Sequence, residues 1–324
     1  MEASFYPLKC TPLLKKRIWG GQELKNILGK TTTSEQVGES WEVASLPEGN
    51  STIANGIYKG KRLGEIISAF AKAILGTSTL DRFGQEMPLL IKFIDASKKL
   101  SVQLHPDDTF AQELHQQPRG KTEMWYILKA EEDAHIIAGF KDTINAQQFQ
   151  AAIADNTLEE KLNTIPVKEG DAFYISAGLI HAIGAGIVLA EIQQTSDITY
   201  RVHDYNRKQE DGSYRELHID NACKAIKFET TEDINLCYNP KQIGTQELKH
   251  SPFFNTDIVN LVDSKHRIER EESFTIVIAV AGQGLISCEG TDYEIAFGDT
   301  YLIPAQCPDI VVTSQELKFL EVYM

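Results

Sequence analysis

The sequence predicts a mostly β fold in which two related β units follow one another in tandem and carry helical insertions. Short β-branched and aromatic runs of alternating polarity dominate, as in residues 274–280, and Gly, Asp, Asn and Pro separate them. Helical spacing of apolar residues is confined to three stretches. A pattern that begins at Gly170 is repeated at Gly298. These features favour a sandwich or barrel over a doubly wound α/β fold.

The helical stretches differ in strength. Apolar residues follow helical spacing from Leu63 to Ile74, and Gly76 provides a stop signal. Weaker versions of the same pattern cover about 145–163 and 216–227. We interpret all three as insertions on the β scaffold.

The repeated pattern indicates a duplication. Residues 170–177 and 298–305 share a Gly-Asp turn, a strand with aromatic residues and a small residue at the same offset. Gly-Asp before a strand is also common turn chemistry, so the match alone fits coincidence as well. Only the first copy continues to a histidine, His181. We therefore predict a catalytic unit at 1–235 and a degenerate second unit at 236–324.

Composition argues against several partners and compartments. The formal charge of -14 and pI near 5.1 disfavour nucleic acid and anionic membranes, so an anionic substrate needs a local cluster of Lys and Arg. No apolar run approaches the roughly 20 residues that span a bilayer, and the N-terminus lacks a signal-peptide pattern. The five cysteines are scattered without a Cys-x-x-Cys pair. We expect a cytoplasmic protein with reduced thiols.

Two strands and one turn carry candidate metal ligands. Strand alternation in residues 100–108 puts Gln103 and His105 on one face, and in residues 121–128 it puts Glu123 beside Trp125. The Gly170 turn leads to His181. Each residue alone fits a surface or core position. Two imidazoles, a carboxylate and an amide oxygen together suit a divalent metal such as zinc, with a position left for water or substrate.

These residues resemble known motifs. The run from Gly170 to His181 is similar to the second cupin motif, with Ser176 in place of its proline. More narrowly, the chain resembles the short bacterial form of type I mannose-6-phosphate isomerases almost end to end. The blocks that carry the resemblance are Trp19-Gly-Gly21, Gly38-Glu-Ser-Trp-Glu-Val43, Pro88-Leu-Leu-Ile-Lys92, Leu100-Ser-Val-Gln-Leu-His-Pro-Asp-Asp108, Gly120-Lys-Thr-Glu-Met-Trp-Tyr-Ile-Leu128, His181-Ala-Ile-Gly184 and Glu191-Ile-Gln-Gln-Thr-Ser-Asp-Ile-Thr-Tyr-Arg-Val202.

The resemblance implies both fold and chemistry. It implies two cupin-type jelly-roll units and reversible interconversion of D-mannose 6-phosphate and D-fructose 6-phosphate through an enediol or enediolate. It also implies one zinc ion per chain, held by His105, Glu123 and His181, with Gln103 as a fourth ligand in some family members. Arg201 is then the active-site arginine. The alternative role of Arg201 is a surface salt bridge with a neighbouring aspartate, Asp197 or Asp204.

Other site assignments stay open. Lys121 shares a strand face with Glu123 and resembles a family lysine, so it is a candidate for phosphate binding or for the base. Lys92 and Glu42 are candidates for substrate binding. His203 departs from the tyrosine usual in the family, and alternation puts it on the face of Arg201, to line the site or to pack. The base remains open among Glu42, Lys121, His203 and a metal-bound water.

Two other classes of function remain in view. One is another metal cupin enzyme, either an isomerase that acts on a different hexose phosphate or an oxygenase. Oxygenases favour iron held with more histidine than this site offers. The other is a non-catalytic cupin that binds a sugar phosphate. The complete set of metal-type residues together with Arg201 favours an enzyme, and no pattern predicts the oligomeric state.

Overall fold

The computed structural model describes residues 5–228, 234–269 and 272–324. The strands, in chain order, are β1 (Leu8–Thr11), β2 (Leu13–Gly21), β3 (Val37–Val43), β4 (Ser45–Leu46), β5 (Gly49–Asn50), β6 (Thr52–Ile53), β7 (Leu89–Ala96), β8 (Val102–Leu104), β9 (Glu123–Ala130), β10 (His135–Phe140), β11 (Leu162–Pro166), β12 (Ala172–Ile175), β13 (His181–Ile183), β14 (Ile187–Gln194), β15 (Tyr200–His203), β16 (Gly244–His250), β17 (Asn255–Ile268), β18 (Thr275–Cys288), β19 (Thr291–Ala296), β20 (Thr300–Ile303) and β21 (Ile310–Tyr323). The helices are α1 (Glu23–Asn26), α2 (Leu63–Leu75), α3 (Thr77–Phe83), α4 (Asp108–His115), α5 (Ala146–Ala154), α6 (Leu158–Lys161) and α7 (Ile219–Ala225).

The mostly β prediction is confirmed, and so are the three helical stretches. They form α2, the pair α5 and α6, and α7. Gly76 caps the C-terminus of α2 with a φ of 83°. None of the helices in the described ranges has the length and apolar character needed to cross a membrane.

The first unit is built from two antiparallel sheets. One has six strands in the order β12-β9-β14-β7-β3-β2, and the other has five in the order β11-β10-β13-β8-β15. Trp125 and Leu189 of the first sheet form one buried cluster with Ile136 and Ile183 of the second. Two sheets that close over a shared apolar core form a jelly-roll barrel.

The six-stranded sheet buries both of its faces. Along β9, Trp125 and Ile127 point into the barrel, whereas Met124 and Tyr126 join a cluster that also contains Phe254 of the second unit. The alternation predicted for this strand is therefore confirmed. Polar residues on the barrel face of this sheet are held inside the first unit.

The second unit centres on a sheet in the order β16-β17-β21-β18-β20-β1-β6, with β19 paired to β18. Its last two strands come from the start of the chain, since Leu8 pairs with Leu302 and Cys10 with Ile53. Strands from before residue 235 thus complete the sheet of the unit after it. The division at residue 235 stays a prediction.

The repeated Gly-Asp turns have the same local structure. Gly170 and Gly298 have φ angles of 85° and 87°, a left-handed conformation that glycine adopts without steric cost. Each turn leads into a four-residue strand, β12 or β20. The two units therefore share a local design, while only the first continues to a histidine.

Candidate metal centre

Three buried side chains converge inside the first barrel. His105 follows β8, Glu123 begins β9 and His181 begins β13, and one ligand atom from each lies within 4.8 Å of the others. Backbone pairing fixes this arrangement, because His181 pairs with Gln103 and Glu123 pairs with Ile175. The three predicted ligands are therefore brought together by the register of the two sheets.

Hydrogen bonds to the backbone determine which imidazole nitrogens face the cluster. Nδ1 of His105 lies 2.9 Å from the carbonyl oxygen of Ile198, and Nδ1 of His181 lies 2.9 Å from that of Leu179. A carbonyl only accepts, so each Nδ1 carries the hydrogen and each Nε2 presents a lone pair. Within the described residues, Nε2 of His181 is buried without a hydrogen-bond partner. Histidines that ligate metals typically donate their other ring N–H to a carbonyl in this way.

The electrostatics favour the protonation states that metal ligands need. Burial is the main cause that lowers the pKa of His105, to about 3, and it also lowers that of His181. Burial opposes ionisation of Glu123, but the Lys121 ammonium, 2.8 Å away, holds the pKa of this carboxyl well below its usual range. Neutral imidazoles and a carboxylate result. Such a donor set fits zinc and other divalent metals of borderline softness.

Lys121 lies directly beside the cluster. Its Nζ is 2.8 Å from Oε1 of Glu123 and 3.4 Å from Nε2 of His105, and its side chain is buried. An ammonium at this position can donate to an oxygen bound next to the cluster.

Gln103 and Arg201 extend the site along the five-stranded sheet. Gln103 pairs with His181 on one side and with Arg201 on the other. Nε of Arg201 donates to Oγ of Ser101 at 3.3 Å, and its Nη1 donates to the carbonyl oxygen of Glu216 at 2.8 Å. In the described ranges no carboxylate lies within ion-pair distance of Arg201, so the alternative salt bridge is not formed.

Gln103, Lys121, His181 and Arg201 line a cavity of about 480 Å³. Its charged walls comprise six cationic and three anionic side chains, namely Lys16, Arg17, Lys92, Lys121, Arg201 and Arg215 against Glu39, Glu191 and Asp197. The cavity is thus locally cationic in a chain whose formal charge is -14. A local cluster of this kind was expected for an anionic substrate.

Two ion pairs in the wall include acidic residues that sequence reasoning missed. Nζ of Lys92 lies 3.0 Å from Oε1 of Glu191, and Nε of Arg17 lies 2.7 Å from Oε1 of Glu39. Burial raises the pKa of Glu191, and the nearby Glu123 carboxylate raises it further. The signal was present, since Glu191 begins one of the motif blocks and lies opposite Lys92 in the sheet.

Two predicted substrate-binding residues lie elsewhere. Alternation along β3 directs Glu39 into the cavity, while Glu42 lies on the opposite face, 2.8 Å from Nζ of Lys30. His203 is 3.2 Å from Glu159 because a β-bulge between Arg201 and His203 breaks the alternation. Neither Glu42 nor His203 lines the cavity, and the interpretation of His203 as a packing residue fits its contact with Tyr205.

The fold and the site define a protein of the cupin type that has a candidate metal site beside a cationic cavity. Residues 6–121 match the model "Phosphomannose isomerase type I, catalytic domain", and residues 245–324 match "Mannose-6-phosphate isomerase, cupin domain". The chain belongs to the mannose-6-phosphate isomerase family, which consists of aldose-ketose isomerases.

Relatives of this family are similar over nearly the whole chain. The mannose-6-phosphate isomerase of Streptococcus mutans is 36% identical over 92% of this chain and 92% of its own length. Mannose-6-phosphate isomerase ManA of Bacillus subtilis is 35% identical over 92% of this chain and 93% of its own length. A crystal structure of the mannose 6-phosphate isomerase from Bacillus subtilis has a TM-score of 0.86 at 32% identity and covers 98% of this chain and 99% of that one.

Proposed function

We propose that this chain interconverts D-mannose 6-phosphate and D-fructose 6-phosphate with one zinc ion held by His105, Glu123 and His181. The observation that carries the proposal is a buried His-Glu-His cluster whose His181 lines a cationic cavity that Arg201 also lines. The names of the relatives support the choice of substrate. The reaction moves a proton between two adjacent carbons and needs a base and a positive group for the developing oxyanion.

Zinc is the metal we assign to the cluster. Nitrogen and oxygen donors in a closed, buried set are typical zinc ligands, and Gln103 is the candidate for a further oxygen donor. When bound, the ion supplies a fixed positive charge that stabilises negative charge on a substrate oxygen. Lys121 adds a second positive group on the same side of the cavity.

Glu191 is the residue we propose as the base, in place of Glu42 and His203. It is buried in the cavity wall, and its raised pKa makes its carboxylate a better proton acceptor than an ordinary one. In our proposal its carboxylate takes the proton from C2 of the aldose and returns it to C1, while the hydroxyl proton of O2 passes to O1. Lys92, 3.0 Å away, holds the carboxylate in place, and Lys121 donates to the substrate oxygen that becomes negative.

Arg201 is the candidate for the far end of the substrate. Its guanidinium stays protonated and offers a planar fork that matches phosphate oxygens. The cavity would then hold the reacting carbons beside the zinc ligands and the phosphate near Arg201. Because charge hinders passage across a bilayer, an enzyme for phosphorylated sugars belongs in the cytoplasm with them.

The test is a coupled assay of the zinc-loaded protein with mannose 6-phosphate, with fructose 6-phosphate and with another hexose phosphate. We expect turnover of the first two and little of the third. Glu191→Gln should lower kcat about 100-fold or more while KM changes little, and the exposed Glu113→Gln should behave like the wild type. If only the third sugar is turned over, it replaces mannose 6-phosphate as the proposed substrate. Binding of a sugar phosphate without turnover would support the non-catalytic class.

A further inference from the structure

We propose that Arg215, which a surface hairpin delivers to the cavity, is a second phosphate-binding residue that makes the site selective for phosphorylated sugars over free ones. This inference rests on the proposed function. We call residues 205–216 the arginine hairpin. Sequence reasoning assigned no role to this segment.

The arginine hairpin is held together by its own hydrogen bonds. Lys208 and Tyr214 form an antiparallel bridge, and both the backbone nitrogen and Nε2 of Gln209 donate to Ser213 at 2.8 Å. Two side chains of the hairpin, Gln209 and Arg215, line the same cavity as His181 and Gln103. The hairpin therefore forms a wall of the site.

Asp204 fixes the direction of Arg215. Nε of Arg215 donates to Oδ2 of Asp204 at 2.8 Å, and its Nη2 donates to Oδ1 at 2.6 Å. The Asp204 side chain is only 7% exposed, and that of Arg215 is 16% exposed. Within the described residues, the remaining nitrogen, Nη1, has no hydrogen-bond partner. One edge of the guanidinium is thus occupied, and a donor remains for a ligand.

Positive charge is in excess at this end of the cavity. Arg207 and Arg215 both bind Asp204. Burial is the main cause that lowers the pKa of Arg201, and the nearby positive charges of Arg215 and Arg207 lower it further. Arg207 and Arg215 therefore share the buried Asp204 carboxylate, and Arg201 lies near them without an ion pair of its own in the described residues. A dianionic phosphate in the cavity would offset the repulsion between Arg201 and Arg215 and accept charge-assisted hydrogen bonds from both.

The spacing from the metal end fits one substrate molecule. His181, Gln103 and Arg201 are register neighbours on three adjacent strands. Strands lie about 4.8 Å apart, so Arg201 is roughly 10 Å from His181 across the sheet. A hexose 6-phosphate carries its phosphate and its reacting carbons at opposite ends of a six-carbon chain. Arg215 stands on the arginine side of this span, where the phosphate would bind.

Arg215→Gln tests the inference, with Arg207→Gln as the matched control. Both variants remove one positive charge and one partner of Asp204, but only Arg215 lines the cavity. We expect Arg215→Gln to raise KM for mannose 6-phosphate about 10- to 100-fold with a smaller change in kcat. Arg215→Lys should restore part of the loss, and Arg207→Gln should stay near the wild type.

A readout without turnover separates this inference from the proposed function. Calorimetric titration of the zinc-loaded protein with inorganic phosphate should show about 10-fold or more weaker binding for Arg215→Gln. A wild type that binds phosphate without isomerase activity would overturn the proposed function and leave Arg215 as a phosphate ligand. Equal phosphate binding by Arg215→Gln and wild type, or an equal loss in Arg207→Gln, would overturn the inference.

Discussion

Glu39 and Glu42 lie three residues apart on β3, and the two carboxylates serve different parts of the molecule. Glu39 lines the cavity and binds Arg17, whereas Glu42 binds Lys30 on the face that packs toward the second unit. The period of two along a strand makes this separation sharp. Single positions on a buried strand therefore decide whether a carboxylate faces the cavity or the junction with the second unit.

The environment of Glu39 predicts how the free energy of unfolding changes at low pH. Burial raises its pKa, but Lys92 and Arg17 outweigh burial and lower it from 4.5 to about 2. Because the folded pKa lies below the unfolded one, the ionised carboxylate stabilises the fold above pH 4.5, and this contribution is lost as the pH falls from 4.5 toward 2. The loss is on the order of 3 kcal/mol.

Glu39→Gln should remove that pH dependence. Urea unfolding across this pH window would measure the free energy of unfolding at each pH, with Glu113→Gln as the control that keeps the wild-type slope. If Glu39→Gln lost stability with acid as steeply as the wild type, the low pKa of Glu39 would be contradicted.

Sequence patterns predicted some of these residues and missed others for a physical reason. His105, Glu123 and His181 were predicted because strand alternation and the Gly170 turn present a residue set that suits a metal, and because the family resemblance implies them as ligands. Glu191 and Glu39 stand in the motif blocks, but it is the pairing of β14 and β3 with β7 that shows them facing the cavity beside Lys92. The position of Arg215 depends on the course of a hairpin, which hydrophobic periodicity in the sequence does not predict.

At the scale of elements, one turn links the two histidines. Gly178 has a φ of 81°, its nitrogen donates to the carbonyl oxygen of His105 at 2.8 Å, and His181 follows three residues later. A Cβ at this position would lie 2.7 Å from the carbonyl oxygen of Ala225. The turn therefore needs glycine for its backbone conformation and for space.

Gly178→Ala should weaken metal binding as well as stability. The control is Gly60→Ala, since Gly60 has a similar φ of 86° with open space around it. Backbone strain of about 1 kcal/mol is common to both variants, but only Gly178→Ala has the steric clash and displaces His181. Thermal unfolding and zinc titration measure the two effects. Equal zinc affinity in both variants would contradict a role of this turn in placing the ligand.

The bulge in β15 shows why alternation fails locally. Arg201 pairs with Gln103, yet His203 pairs with the adjacent Val102, so one extra residue is accommodated between them. A bulge turns the following side chain away from the face that alternation predicts. His203 consequently contacts Glu159 on α6 and not the cavity. The sequence of the strand contains no glycine or proline that would have marked the bulge.

At the scale of the whole molecule, the two units are joined through the start of the chain. β1 pairs with β20, and a large apolar cluster combines Leu8, Ile91 and Ile276 from both units. The buried pair Lys30 and Glu42 lies at this junction, where Lys30 also donates to the carbonyl oxygen of Gly298 at 2.8 Å. Such long-range pairing left no trace in local patterns.

The ion pair between Lys30 and Glu42 should affect the free energy of unfolding mainly because each charge neutralises the other. Lys30→Met leaves Glu42 buried without its cation and should lower the free energy of unfolding by about 3–5 kcal/mol. The double variant Lys30→Met with Glu42→Leu removes both charges and should recover most of that loss. Denaturant unfolding of the three proteins measures the difference. A double variant less stable than the single one would contradict this account of the junction.

Zinc dependence tests the central claim most directly. The protein should contain one zinc ion per chain, lose isomerase activity when a chelator removes the ion, and regain it when one equivalent of zinc is added back. Glu123→Gln should bind zinc at least 10-fold more weakly, because a carboxylate ligand is replaced by a neutral amide. Metal analysis paired with the coupled assay gives both numbers on one sample. Full turnover of mannose 6-phosphate by protein from which all zinc has been removed would contradict the account.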